Sequence, residues 1–400
     1  MRVVLDGRVA NRHFPGIGRL AQGLAEALVR ATPDIDFVVL EDTSTPASRR
    51  LAIAAPRAPV PASVFSIAQQ WVVPKVLRDL AADVYHSLYY LMPYRPGVPS
   101  LLTCHDLIPL RLPGQMSPLR KTVFRTAHWL ALRTADQVVA ISDATRSDVA
   151  HEFGLDERRI EVVPHGVDQR FAPAAAAPSA ALRARLGLPE RHVLYVGINK
   201  PHKNLSMLID AWGRLARSGP DRFAPTSPTT PGAPQDGRTS TPGTTDDSSP
   251  FALVIAGRWD PRYSAIRDQA AALAGAADIR FLGSVDEADL PALYSSAAAF
   301  VFPSRYEGFG LPPLEAMSCG TPVIAAAASS LPEVMGDAGI LVGPDDPAGW
   351  AEAMGRVLTD PSVAADLRAR GLVRAAQFTW RETARKTLEV YRALAGQGLG

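Results

Sequence analysis

Two glutamates eight positions apart, Glu307 and Glu315, stand in the stretch of this 400-residue chain best suited to chemistry. It reads Phe300-Val301-Phe302-Pro303-Ser304-Arg305-Tyr306-Glu307-Gly308-Phe309-Gly310-Leu311-Pro312-Pro313-Leu314-Glu315-Ala316-Met317-Ser318-Cys319-Gly320-Thr321-Pro322. On one unbroken helix that spacing would put both carboxylates on one face, but the glycines and prolines between them forbid such a helix. The local reading is an apolar strand ending at Pro303, a glycine-rich loop carrying Glu307, and a short helix opening at the prolines with Glu315 in its first turn. Pro312 suits a first turn because its missing N–H had no partner there. Unpaired backbone N–H groups and the positive end of the helix dipole make this junction a site for an anion, typically a phosphate, and Gly308 and Gly310 let the backbone approach it. Carboxylates in the same pocket accept hydrogen bonds from sugar hydroxyls. Phosphate and sugar together point to a nucleotide-sugar.

This stretch resembles the E-x₇-E signature of the retaining glycosyltransferases of family 4, which have the GT-B fold. The resemblance implies an α/β protein of two Rossmann-like, doubly wound domains facing each other across a cleft. The C-terminal domain would hold the donor and the N-terminal domain the acceptor.

Length and composition agree with such a frame. Four hundred residues fit two domains of average size, and 47% hydrophobic with 20% charged residues is the balance of a globular protein with substantial cores. A formal net charge of +2 gives no strong field for nucleic acid, so none is expected as a partner. Two distant cysteines, Cys104 and Cys319, build no disulfide framework and suit a reducing cytosol. No apolar run reaches the roughly 20 residues of a membrane span. Met1-Arg2-Val3-Val4-Leu5-Asp6 meets an acid too soon for a signal peptide. The expected location is the cytoplasm, with any membrane contact made from the surface at its inner face.

Strands that would position the site recur through the chain. Arg2–Leu5 reads as a first buried strand, 7–18 as its loop, and Arg19–Arg30 as a helix. Gly16-Ile17-Gly18 would then lie where a doubly wound domain admits a diphosphate or a sugar. Apolar pieces at Phe37–Leu40, Val84–His86, Leu101–Cys104, Val138–Ile141 and Glu161–Val163 alternate with helical patterns, which argues for a parallel sheet. His105-Asp106-Leu107-Ile108-Pro109 follows the Leu101–Cys104 strand, placing polar groups at a carboxyl end where open α/β sheets bind ligands. Asp106 either orients the imidazole or serves the turn. Between Leu107 and Ala135 there are five Lys or Arg and no acid after Asp106, and 118–135 reads as a basic helix interleaved with aromatic residues. It is either a half-buried helix with a solvated edge or a surface that docks on anionic lipid.

Phe171-Ala172-Pro173 opens an Ala/Pro-rich linker, which sets domains of 1–173 and 174–376, with 377–400 as a final helix. His192–Val196 starts the second domain, and Lys203 stands before its first helix, placed to meet a phosphate as a point charge. Strands continue at Phe251–Ala256, Ile279–Leu282, Ala299–Phe302, Pro322–Ala325 and Ile340–Val342. The segment 219–250 is rich in Pro, Thr, Ser, Gly and Asp and too poor in apolar groups to order itself, and is read as a disordered surface insertion.

The resemblance implies roles for these residues. Gly16 and Gly18 match a Gly-Ile-Gly-Arg segment lining the donor phosphates, and His105 the histidine of a His-Asp-Leu-Ile loop near the transferred sugar. Lys203 matches the lysine of a Gly-x₅-Lys-Asn loop on the diphosphate. Glu315 would bind the ribose, Glu307 the donor sugar, and the amides of Phe309, Gly310 and Leu311 the leaving diphosphate. Relatives often carry an arginine directly after the second domain's first strand; here Gly197 and Ile198 stand there, and Arg258 either takes that part or is a surface residue. The Gly-Ile-Gly-Arg and His-Asp-Leu-Ile-Pro segments look most like bacterial mannosyltransferases, so GDP-mannose is the first donor and a UDP-hexose the second. The acceptor would be a glycan or lipid-linked sugar of a cell-surface polysaccharide. Lys203 and helix N-termini can neutralise a diphosphate without a cation, so no metal or other cofactor is expected. Rivals are a glycoside hydrolase, which has no use for an anion cradle, and a nucleotide-sugar-binding protein without turnover.

Overall fold

The computed structural model describes residues 1–9, 15–32, 34–44, 46, 55–112, 114, 116–218, 251–275 and 277–397. The insertion expected at 219–250 lies outside them. The chain packs into two compact units: Met1–Asp168 with Tyr306–Leu311 and Gln377–Gly400 form the first, Gln169–Arg305 with Pro312–Ala376 the second.

Among the described residues the first unit holds a seven-stranded sheet. Its strands are β1 (Arg2–Asp6), β2 (Asp36–Asp42), β3 (Arg57–Val60), β4 (Val84–Ser87), β5 (Ser100–Cys104), β6 (Gln137–Ala140) and β7 (Ile160–Val162). They run in the order β3-β2-β1-β4-β5-β6-β7, every pair parallel. Successive side chains of a strand point to opposite faces, so β1 serves two cores. Val3 and Leu5 pack with Leu24 and Leu28 of the helix Pro15–Ala31 and with Leu388 and Tyr391 of the helix Trp380–Gln397. Val4 faces the other way, into the cluster with Tyr85, Leu102, Phe124 and Val149.

The second unit holds six strands, β8 (His192–Val196), β9 (Ala252–Ala256), β10 (Asp278–Gly283), β11 (Ala299–Phe302), β12 (Val323–Ala326) and β13 (Ile340–Val342). Their order is β10-β9-β8-β11-β12-β13, again all parallel. Its central strands β9, β8, β11 and β12 are apolar runs buried on both faces, as parallel sheets require, while β10 at one edge is half-buried and carries the paired Asp278 and Arg280. Trp212 of the helix Leu205–Ser218 and Trp350 of the helix Pro347–Thr359 are among its largest buried side chains.

In each sheet the strand order reverses once, between β1 and β4 and between β8 and β11. The crevice at the carboxyl ends of the strands flanking such a reversal is where open α/β sheets take ligands. At the β1 end the first unit seals a polar cluster inside itself. Asp6 and Arg8 are 2% and 3% exposed and joined by Arg8 Nη2 to Asp6 Oδ2 at 2.6 Å and Arg8 Nε to Asp6 Oδ1 at 2.8 Å. Arg8 also donates to Ala62 O and Gln69 Oε1, and the Tyr85 hydroxyl donates to Asp6 Oδ2 at 2.6 Å.

Burial pushes five imidazoles down, His86, His128 and His165 to about 3 and His105 and His192 to about 4. Each is neutral in the fold but takes a proton near pH 6.5 once unfolded. The unfolded chain thus binds more protons below that pH, so the stability they contribute is complete above about pH 6.5 and is lost as pH falls toward their folded values. Each fully buried imidazole should cost about 1.4 kcal/mol per pH unit in that window. Four of the five lie in the first unit. Thermal melts followed by circular dichroism should be level from about pH 8 to 7 and fall steeply by about pH 5; a level melting temperature down to about pH 4.5 contradicts this.

Candidate active site

In the second unit, the loops leaving β8 and β11 run side by side. After β8 a single turn, Pro201–Lys203, carries Lys203, whose Nζ sits 5.1 Å from the ring centre of Phe302 at the end of β11. The two loops are tied by Arg305 N–H donating to His202 O at 2.8 Å and Ser304 Oγ–H donating to the same oxygen at 3.2 Å. Lys203 is thereby held at the carboxyl end of the reversal point. Arg258 follows Gly257 at the end of β9 and is exposed.

The helix expected at the prolines begins one residue earlier and spans Leu311–Ser318. Glu315 is therefore its fifth residue, at the start of the second turn rather than in the first. It is 3% exposed, and the buried hydroxyl of Tyr294 donates to its Oε2 at 2.9 Å. A carboxylate this deep is fixed in place by its hydrogen bonds.

The loop Tyr306–Leu311 belongs to the first unit, and Glu307 is half-buried on it. Gly310 has φ +122°, a conformation open to glycine. Gly308 is explained by protein rather than by ligand: a Cβ there would stand 2.0 Å from the carbonyl oxygen of His105. Phe309 is 4% exposed and lies edge-on to His165 at 5.2 Å and to Phe378 at 5.8 Å.

His105 follows β5, and its Nε2 is 2.8 Å from Leu88 O. A carbonyl oxygen only accepts, so Nε2 carries the proton and Nδ1 of the neutral ring is an acceptor. Asp106 serves the turn with one oxygen, its Oδ1 accepting from Ile108 N–H at 2.9 Å. Gly16 and Gly18 are a correction: the helix starts at Pro15, so both lie in its first turn and not in the loop before it. The proline, read as loop, supplies the fixed φ of a first turn. Sequence reasoning did not single out His165; it is 5% exposed, 6.1 Å from the His105 ring, with Nδ1 buried and unpartnered. It also passed over the helix Asp143–Phe153, whose first turns touch the Glu307 loop. Ser142 as a helix N-cap was legible, but not what else its hydroxyl holds.

The family model described as Glycosyltransferase Family 4 matches residues 15–171, and that described as Glycosyl transferases group 1 matches residues 242–360. O-antigen chain mannosyltransferase B of Escherichia coli is 30% identical over 319 residues, 80% of this chain and 76% of that protein. The chain belongs to glycosyltransferase family 4. D-inositol 3-phosphate glycosyltransferase of Salinispora arenicola is 34% identical to this glycosyltransferase over 336 residues, covering 79% of this chain and 70% of the relative. HepE of Anabaena, solved in complex with UDP and glucose, superposes with a TM-score of 0.72 over 98% of this chain and all of that one, at 18% identity. The expected GT-B architecture of two doubly wound domains is met, one seven-stranded and one six-stranded.

Proposed function

We propose that this family 4 glycosyltransferase moves a hexose from a nucleoside diphosphate to a hydroxyl of a glycan or lipid-linked acceptor, with retention at the anomeric carbon. The bond from the anomeric carbon to the diphosphate oxygen breaks, and a bond from that carbon to the acceptor oxygen forms. The acceptor proton passes to the departing phosphate. The observation that carries the reading is the pair Glu307 and Glu315, one half-buried on a glycine loop and the other sunk in the helix that follows it. In this reading Glu315 binds the ribose, Glu307 the sugar as positive charge develops on it, and Lys203 with the amides of Phe309, Gly310 and Leu311 the leaving diphosphate. His105 accepts from a sugar hydroxyl at Nδ1. Gly16 and Gly18 approach the donor phosphates through the first turn of their helix, and Arg258 is a second cation for them.

Similarity to a mannosyltransferase favours GDP-mannose as donor; the UDP and glucose held by HepE favour a UDP-hexose as the second reading. Lys203 and backbone amides neutralise the diphosphate, so no metal takes part. The test is nucleotide release from GDP-mannose and from UDP-glucose, with and without EDTA. Release unchanged by EDTA is expected; release restored only by Mg²⁺ or Mn²⁺ overturns the metal-independent assignment, and no release from any nucleotide-sugar overturns the activity.

A lipid-linked acceptor would bring the protein to a membrane from the cytoplasmic side. Among the described residues no helix is long and apolar enough to cross one. The helix Pro118–Thr134 buries Phe124, His128, Ala131 and Leu132 while leaving Leu119 75%, Val123 61% and Trp129 43% exposed. Exposed Arg120, Lys121 and Arg125 flank them, a composition suited to anionic headgroups. Arg120→Glu, Lys121→Glu and Arg125→Glu together should reduce sedimentation with phosphatidylglycerol vesicles by about tenfold or more. Equal sedimentation of parent and variant removes the contact.

A further inference from the structure

The loop that carries Glu307 is held from both sides of that residue by one helix. Ser142 is the N-cap of the helix Asp143–Phe153, its Oγ accepting from Thr145 N–H at 3.0 Å. The same hydroxyl donates to Gly308 O at 2.7 Å, and Thr145 Oγ1–H reaches that carbonyl at 3.1 Å. Two hydroxyls thus lie within hydrogen-bond distance of one backbone oxygen, which has a lone pair for each; His105 O, 3.3 Å from Thr145 Oγ1, is the longer alternative acceptor for that hydroxyl. One turn further on, Asp148 Oδ2 accepts from the Tyr306 hydroxyl at 2.5 Å, and the other carboxylate oxygen is paired with Arg111. Ser142, Thr145 and Asp148 are spaced by three, which lines them along one side of the helix.

The grip is buried and specific. Ser142 and Thr145 are 0% and 1% exposed, so losing a partner for either group costs more than it would in water. Burial and the Asp148 carboxylate both push the Tyr306 hydroxyl well above its ordinary range, so it stays a donor. On the opposite side of Gly308 the carbonyl of His105 leaves no room for a side chain. The backbone before Glu307 is tied through Tyr306, and the backbone after it through Gly308. A helix cap alone would need only the Ser142 contact to Thr145.

We propose that Ser142, Thr145 and Asp148 are positioning residues for Glu307, fixing the loop so that its carboxylate meets the donor sugar in reactive geometry. The proposal rests on the role given to Glu307 above. Misplacing a catalytic group by about 1 Å costs up to about a hundredfold in rate.

Thr145→Val with Tyr306→Phe tests it, because both changes keep shape and leave the Ser142 cap intact. GDP release from GDP-mannose, or UDP release from UDP-glucose if that donor is turned over, is the readout. The double variant should lose about tenfold or more in kcat with donor KM changed less than about threefold, and Thr145→Ser should retain most of the rate. In a Glu307→Gln background the same two changes should cost less than about twofold, since groups that act through Glu307 have nothing left to position. Should the double variant be too unstable to purify, Thr145→Val alone is carried through the same cycle. A parental kcat in these variants beside a slow Glu307→Gln enzyme overturns the positioning role alone, as does an equal fractional loss in both backgrounds. A parental rate in Glu307→Gln itself removes the reading on which the proposal rests.

Discussion

Glu307→Gln is expected to lower kcat by about a hundredfold or more while changing donor KM far less, and Glu315→Gln to do the reverse. The asymmetry follows from what each carboxylate would meet. The sugar gains positive charge as its bond to phosphate breaks, so a carboxylate facing it stabilises the transition state more than the ground state. The ribose does not change during the reaction, so its partner contributes equally to both states and its loss appears in KM. Glu315 is already fixed by the Tyr294 hydroxyl at 2.9 Å, which suits a binding contact that must not move. Single-turnover measurements at saturating acceptor would confirm that chemistry limits kcat. Swapped effects would exchange the two roles, and no effect from either variant would place the donor elsewhere.

The largest loss of stability should come from Asp6→Ala. It leaves Arg8, whose side chain is fully buried, as an uncompensated charge, and also strips the Tyr85 hydroxyl of its acceptor. Breaking one partner of a buried ion pair costs about 3–5 kcal/mol, a large part of the stability of an ordinary domain. Burial alone would raise the Asp6 carboxyl, but the charge and hydrogen bonds of Arg8 and the Tyr85 hydroxyl outweigh it and hold it below its ordinary value of 3.8. A depressed carboxyl contributes stability that is present above its unfolded pKa and lost as pH falls through the folded one. Its pH window thus lies below that of the buried histidines. Urea unfolding near neutral pH should show the loss, and a cost under about 1 kcal/mol would contradict the account of this pair.

Most of the frame was legible because parallel strands are continuous apolar runs. His192–Val196, Ala299–Phe302 and Ile340–Val342 were read with the limits the strands have, and the last helix, expected over 377–400, spans Trp380–Gln397. β3 was passed over because Arg57-Ala58-Pro59-Val60 is short and carries a proline, which an edge strand tolerates. Gly16 and Gly18 misled because glycines suggest a loop, whereas the helix there is decided by the apolar face that Leu20, Leu24 and Leu28 bury against β1. Glu307, Glu315 and Lys203 were singled out because the segments that carry them follow strands and are punctuated by glycine and proline. The grip of Ser142 and Thr145 on Gly308 was not legible: it joins residues more than 160 positions apart and depends on one carbonyl lying between two hydroxyls.

The most direct measurement is a thermal-shift titration of the parent protein and of Glu315→Gln with GDP-mannose, UDP-glucose and the free nucleotides. A ligand that binds only the folded state adds about 2.7 kcal/mol of stability at a hundred times its Kd. The account predicts that one nucleotide-sugar raises the melting temperature of the parent by several degrees and that Glu315→Gln, folded without ligand, loses most of that rise. A melting temperature unmoved by every nucleotide-sugar, or an equal rise in both proteins, would contradict it.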